Sequence, residues 1–228
     1  MMTVTPHEKI KNVFWVEFED KTRKLATRSL APGCKVYEDE RTVTEGSKEY
    51  RLWDPYRSKL AAAILKGIEH MQVPEGSTVL YLGAASGTTA SFVSDMIGAD
   101  GCICCVEFSS RPLRDLLLVC GKRPNMSPIL ADARDPSSYG PLVKQADIIY
   151  QDVAQPDQVE ILLKNVGLFL KDGGITIFVL KARSIDVTKE PREVLRDEME
   201  KLEKEMEILD VKVLDPYEKD HAMFVLRK

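Results

Sequence analysis

Four charged residues close four successive apolar runs of the chain. Glu107 ends the run at 102–107, Asp132 follows the one at 126–130, Asp152 ends 147–152 and Lys181 ends 175–181. If these runs are parallel strands, all four side chains fall along one sheet edge, the edge at which open α/β sheets bind ligands. Carboxylates there can accept from sugar hydroxyls or an exocyclic amine, and a lysine can hold or exchange a proton. One such charge is ordinary at a loop entry; four on consecutive strands favour a site.

The stretch Val79-Leu80-Tyr81-Leu82-Gly83-Ala84-Ala85-Ser86-Gly87-Thr88-Thr89 supplies what they would surround. It reads as a strand, a turn of small residues and the start of a helix. Gly83 and Gly87 enclose Ala84-Ala85-Ser86, so the middle glycine that lets a pyrophosphate approach the backbone of a dinucleotide fold is missing. That disfavours a nicotinamide dehydrogenase. It favours an adenosyl cofactor without phosphates, S-adenosylmethionine, with its amino-acid end near Gly83 and Ala84 and with Thr88 and Thr89 as further hydrogen-bonding groups. Glu107 comes 24 residues after Gly83, near the offset of roughly 20 at which an acid meets a cofactor ribose. Asp132, followed by Ala133, is placed to accept from the adenine amine.

The elements that must position these residues follow from periodicity. Ser58 can cap a helix whose apolar positions Leu60, Ile64 and Ile68 repeat at helical spacing. Lys59 then sits in its first turn, where a cation opposes the helix dipole, which suggests a task for it. Helices at 89–97, 113–120 and 158–170 alternate with the strands, so a parallel sheet covered on both faces is expected. Gly173-Gly174 reads as the turn into 175–181. A glutamate-rich helix at 192–207, with Leu195, Met199, Leu202 and Met206 as its buried stripe, precedes two strands at 208–214 and 222–226. By fold analogy the last strand runs antiparallel, which brings His221 to the rim of Asp152 and Lys181. His7, in the N-terminal tail, and His70, near the end of the Lys59 helix, are given no role. Aromatic, alternating segments at 13–18 and 50–53, separated by polar turns, indicate a small antiparallel β subdomain over 1–52. It precedes a main domain over 53–228, against which its aromatics are expected to be buried.

Composition narrows the partners. The formal net charge of −4 over 228 residues lacks the basic excess with which a protein grips nucleic acid unaided, so an RNA substrate would have to be delivered. Five cysteines, three of them at 102, 104 and 105 in one apolar run, read as small buried residues rather than disulfides or a metal site. With no spanning-length apolar run and no signal-peptide core, a cytoplasmic protein without membrane contact is expected.

The segments Trp53-Asp54-Pro55-Tyr56-Arg57-Ser58-Lys59-Leu60, Tyr81 to Thr89, Val106-Glu107-Phe108 and Asp152-Val153-Ala154-Gln155-Pro156 closely resemble fibrillarin, over nearly the whole chain. The glycine- and arginine-rich tail of eukaryotic members is missing, so an archaeal member with a cytoplasmic rather than nucleolar address is implied. The resemblance implies a Rossmann-like class I S-adenosylmethionine-dependent methyltransferase sheet. It also implies methyl transfer to ribose 2′-hydroxyls of ribosomal RNA, and in archaea of transfer RNA. A lysine-aspartate-lysine-histidine constellation maps onto Lys59, Asp152, Lys181 and His221. The implied cofactor set is Thr88 and Thr89, Glu107 and Phe108, Asp132 and Ala133, and Asp152, Val153, Ala154 and Gln155, with Phe108 stacking near the adenine. The implied partners are a Nop-domain scaffold protein, a kink-turn-binding ribosomal-type protein and a box C/D guide RNA. Whether Lys181 is a base or an electrostatic clamp stays open. Methylation of protein glutamine, or a non-catalytic subunit that keeps the cofactor pocket, are the alternatives.

Overall fold

In the computed structural model, which describes residues 2–228, the apolar runs resolve into two sheets. The smaller is antiparallel, in the order β1 (Thr3–Pro6), β2 (Val13–Glu17), β3 (Arg23–Arg28), β5 (Lys48–Leu52), β4 (Thr42–Glu45). The larger has seven strands: β6 (Thr78–Leu82), β7 (Cys102–Glu107), β8 (Met126–Leu130), β9 (Ala146–Gln151), β10 (Leu170–Lys181), β11 (Glu207–Val213) and β12 (His221–Arg227). Their spatial order is β11-β12-β10-β9-β6-β7-β8, with β12 antiparallel to both neighbours and β6 to β10 parallel. The chain steps outward from β6 to β7 and β8, then returns to pair β9 on the other side of β6. The order therefore reverses between β6 and β9, the place where such sheets open a ligand crevice.

Alternation along the strands separates two apolar layers. Val79, Tyr81, Ile148, Tyr150, Ile177, Val179 and Met223 face α1 (Lys59–Leu65), α2 (Thr88–Ile97) and α3 (Ser110–Cys120). Leu80, Leu82, Ile149, Phe178, Leu180 and Phe224 face α4 (Gln158–Phe169) and α6 (Pro191–Leu202). A short α5 (Ala182–Ile185) follows β10. The antiparallel sheet adds Val13 and Leu25 to the first layer, the loop between β1 and β2 adds Ile10, and Trp53 stacks on Phe92 of α2 with ring centroids 4.8 Å apart. Cys104 and Cys105 are buried in β7, Cys102 is half-buried, and the five thiols are free. No helix among the described residues is long and apolar enough to cross a membrane.

Several boundaries differ from the periodicity. The first helix stops at Leu65: the amides of Gly67 and Ile68 bond back to Ile64 and Ala63, a Schellman end, and Ile68 is buried by the turn rather than by a further helical turn. His70 consequently lies outside that helix. Gly173-Gly174 belongs to β10, which shifts register between Leu170 and Ile175. The glutamate-rich helix ends at Leu202, and its buried side is Val194, Glu198 and Leu202, with Leu195 and Met199 only half-buried and Met206 beyond it. His7 is built in: its Nδ1 accepts from the amides of Lys9 and Ile10, and its ring stacks on Trp15. Of the aromatics at 13–18, Trp15 packs on the shared layer, whereas Phe14 and Phe18 belong to the sheet's own small cluster around Val16, Ala26, Tyr50 and Leu52.

Candidate active site

Ser58 caps α1, accepting from the amide of Ala61, and α1 has no acidic residue in its first turn. The counter-charge to Lys59 comes instead from across the switch point. Lys59 Nζ donates to Asp152 Oδ2 at 3.2 Å, and Lys181 Nζ lies 2.8 Å from Oδ1 as an ion pair without hydrogen-bond alignment. Asp152 follows β9, and its amide bonds the Leu82 carbonyl at 2.9 Å, so its backbone is fixed at the end of β6. The three side chains are 20, 16 and 14 % exposed for Lys59, Asp152 and Lys181. Burial alone would push the Asp152 carboxyl up, but the Lys181 and Lys59 ammoniums outweigh it, and the net displacement is downward. One carboxylate thus carries two ammoniums, leaving a net positive charge at the rim.

His221 begins β12 directly opposite Lys181 in register, on the same face of the sheet. Its Nδ1 lies 2.6 Å from the Lys219 carbonyl, an acceptor, so Nδ1 carries the proton and a neutral ring leaves Nε2 as the lone-pair nitrogen. Nε2 looks toward Glu218, 3.9 Å away. The rim therefore joins Lys59, Asp152 and Lys181 in direct contact and sets His221 beside them without a bond to any of the three.

A cavity of about 280 Å³ opens next to this cluster. Gly83, Glu107, Phe108, Asp132, Ala133, Asp152, Val153, Ala154 and Gln155 line it, as does Lys181, so the cavity and the charged cluster share a wall. The turn that forms its end depends on two glycines. A Cβ on Gly83, at φ +79°, would stand 2.5 Å from the Asp152 carbonyl oxygen, and one on Gly87, at φ +87°, would stand 2.8 Å from Leu116. At Gly83 a side chain would strike backbone, and at Gly87 the left-handed φ strains any other residue.

Glu107 is buried and held by the backbone: Oε2 accepts from the amide of Ala85 and Oε1 from that of Ser109, at 2.9 and 2.8 Å. Each oxygen keeps a lone pair for a hydroxyl, the arrangement a vicinal diol needs. Phe108, 63 % exposed, offers a ring face at the mouth. Three carboxylates, Glu107, Asp132 and Asp152, line the cavity against one cation, Lys181, so the wall disfavours phosphates while the excess charge of the lysine pair stays at the rim. The donor set fits an adenosyl group without phosphates.

Three residues expected at the cofactor lie off the cavity wall. Ala84 is buried, its amide bonded to Val106. Thr88 Oγ1 stands 3.5 Å from Ser86 Oγ, and Thr89 Oγ1 donates to Ser58 Oγ at 3.1 Å, tying the start of α2 to the cap of the helix that carries Lys59. Asp132 lines the wall as expected, and its carboxylate accepts from the amide and guanidinium of Arg134, an exposed pair at the mouth. Arg134 also holds the Asp132 carboxyl below its usual range. Sequence reasoning passed over Ala85, whose φ of +48° aims its amide at Glu107; its place inside a five-residue turn between two glycines was the available signal.

A sheet with one reversed strand, a glycine turn after its first strand and a carboxylate at the end of its second define the class I S-adenosylmethionine-dependent methyltransferases. Within that class the chain belongs to the fibrillarin family, whose model matches residues 4–228. It is 55 % identical over 223 residues to the fibrillarin-like rRNA/tRNA 2′-O-methyltransferase of Methanopyrus kandleri, covering 97 % of this chain and 96 % of that one. The Aeropyrum pernix fibrillarin structure with natively bound S-adenosyl-L-methionine superimposes with a TM-score of 0.92 at 49 % identity, covering 99 % of each chain. A structure of a fibrillarin/Nop5p complex matches with a TM-score of 0.86 at 40 % identity, over 96 % of this chain and 99 % of that one.

Proposed function

We propose that this chain transfers the methyl group of S-adenosylmethionine to ribose 2′-hydroxyls of ribosomal and transfer RNA, as the catalytic subunit of a box C/D ribonucleoprotein. The observation that carries this reading is Asp152, on the wall of the adenosyl-type cavity with Lys181, gripping both Lys181 and Lys59 behind it. When bound, the sulfonium supplies an already activated methyl group. What remains for the protein is to align the acceptor oxygen and handle its charge and proton. Glu107 and Phe108 would hold the cofactor's ribose and adenine ends. Lys181, on the cavity wall, meets the oxygen as negative charge develops on it, and the uncompensated charge of the Lys59–Asp152–Lys181 cluster stabilises that charge in a site largely closed to water. His221 Nε2, on the same rim, is an acceptor for the hydroxyl proton.

The chain's negative balance favours delivered RNA. The fibrillarin/Nop5p complex supports a Nop-domain scaffold as one partner; a kink-turn-binding protein and the guide RNA complete the particle we envisage, with target choice left to base pairing. We further take residues 1–52 as a separate β subdomain beside the catalytic domain at 53–228, and a cytoplasmic location. Incubation with methyl-labelled S-adenosylmethionine tests the whole reading. Label is expected in guide-matched RNA with the assembled particle and hardly at all with the isolated chain, which still binds the cofactor. Label in a protein glutamine, or none in RNA, would overturn it.

A further inference from the structure

Four ionisable side chains outside the site lie sealed between the antiparallel sheet and α2. Those of Arg51, Glu40 and Asp95 are 0 % exposed and that of Arg123 is 2 % exposed. Arg51 donates from Nε to Glu40 Oε1 at 2.6 Å, from Nη1 to Asp95 Oδ2 at 2.8 Å and from Nη2 to Ser91 Oγ at 2.9 Å. Asp95 also accepts from Thr27 Oγ1, the amide of Leu30 and Arg123 Nη1. Apolar side chains of similar volume commonly hold two elements together as well as buried ions do, so stability alone does not account for this arrangement. What apolar contact lacks is direction.

The direction leads to the cofactor turn. Ser91 Oγ, the acceptor for Arg51 Nη2, itself donates to the Thr88 carbonyl at 2.7 Å, and the Ser91 amide bonds the Gly87 carbonyl at 2.8 Å. Thr88 opens α2 directly after the turn at 83–87, whose Gly83 and Ala85 line the cavity. Two consecutive hydrogen bonds therefore join β5 of the antiparallel sheet to Thr88, the residue that directly follows the turn. We infer that Arg51, acting through Ser91, is a positioning residue for S-adenosylmethionine: the antiparallel sheet sets the first turn of α2, and with it the shape of the cofactor site. The inference rests on the cofactor reading proposed above.

Ser91→Ala and Thr27→Ala separate positioning from mere structure. Both remove one hydroxyl from the same sealed network, but only Ser91 lies on the line to the turn. In S91A the Kd for S-adenosylmethionine, by calorimetry, and the KM for it in the assembled particle are expected to rise together by about tenfold. The kcat at saturating cofactor should stay within about twofold. T27A should lower the melting temperature while leaving both cofactor constants unchanged. Arg51→Lys keeps a charge near Asp95 but loses the fork that reaches Ser91, and it gives the same readout should S91A fold poorly. Equal cofactor effects in S91A and T27A, or an unchanged Kd in S91A or R51K, would overturn the inference alone. Failure of the unsubstituted protein to bind S-adenosylmethionine would overturn it together with the cofactor reading.

Discussion

The Lys59–Asp152–Lys181 cluster and the Arg51–Glu40–Asp95–Arg123 network are built from the same kinds of residue and differ in balance. In the first, two ammoniums share one carboxylate, and all three side chains keep some contact with solvent. In the second, two guanidiniums meet two carboxylates, and water is excluded. Sealed charge has to cancel, because an unpaired ion inside a protein is costly. Excess charge survives where something from outside can answer it. The imbalance at the rim is thus a mark of a site that expects a negative partner, and the balance under the sheet is a mark of a joint.

The sharpest break of this comparison is Lys181→Ala. Methyl transfer by the assembled particle should fall about a thousandfold or more, a loss of roughly 4 kcal/mol in transition-state stabilisation. Cofactor affinity should stay within a few fold, and stability should change little because Asp152 keeps Lys59. Substantial activity in that variant would remove Lys181 from the mechanism. Asp95→Asn inverts the pattern: it leaves guanidiniums sealed without their carboxylate, and urea unfolding should show a loss of about 3–5 kcal/mol. A loss under 1 kcal/mol would mean that the network behaves like surface charge.

The smallest effect concerns pH. Because Asp152 is held below its ordinary value of 3.8 in the folded protein, its carboxylate contributes stability that is fully present above that value. The contribution fades as pH falls toward the depressed folded value, where both states become protonated. The stability difference between the unsubstituted protein and Asp152→Asn should therefore hold from neutrality down to about pH 3.8 and shrink below it. A difference that grows instead would mean that burial, not the two ammoniums, sets the proton affinity.

The rim was readable from the sequence because its signals are local. Each charged residue lies at the end of its apolar run or within two residues of it, and Ser58 announces the helix that carries Lys59. The sealed network was not, since Glu40, Arg51, Asp95 and Arg123 come from four separate segments and each resembles a solvated charge. One clue was present: Asp95 sits inside 90–97, a helical stretch that is buried throughout. Two local contacts at the site were also not visible in the sequence: Arg134, two residues on, bonds the Asp132 carboxylate, and the Thr89 hydroxyl bonds the cap of the neighbouring helix. The strands at 3–6, 23–28 and 42–45 are short and largely polar, so they do not stand out from the turns around them.

Gly83 carries one last implication. Its Cα sits so near the Asp152 carbonyl that a single added carbon would collide with it. The turn that shapes the cavity and the strand end that carries Asp152 are thus one mechanical joint, without slack between them. A substitution that loosened the turn to speed product exchange would shift Asp152 in the same movement.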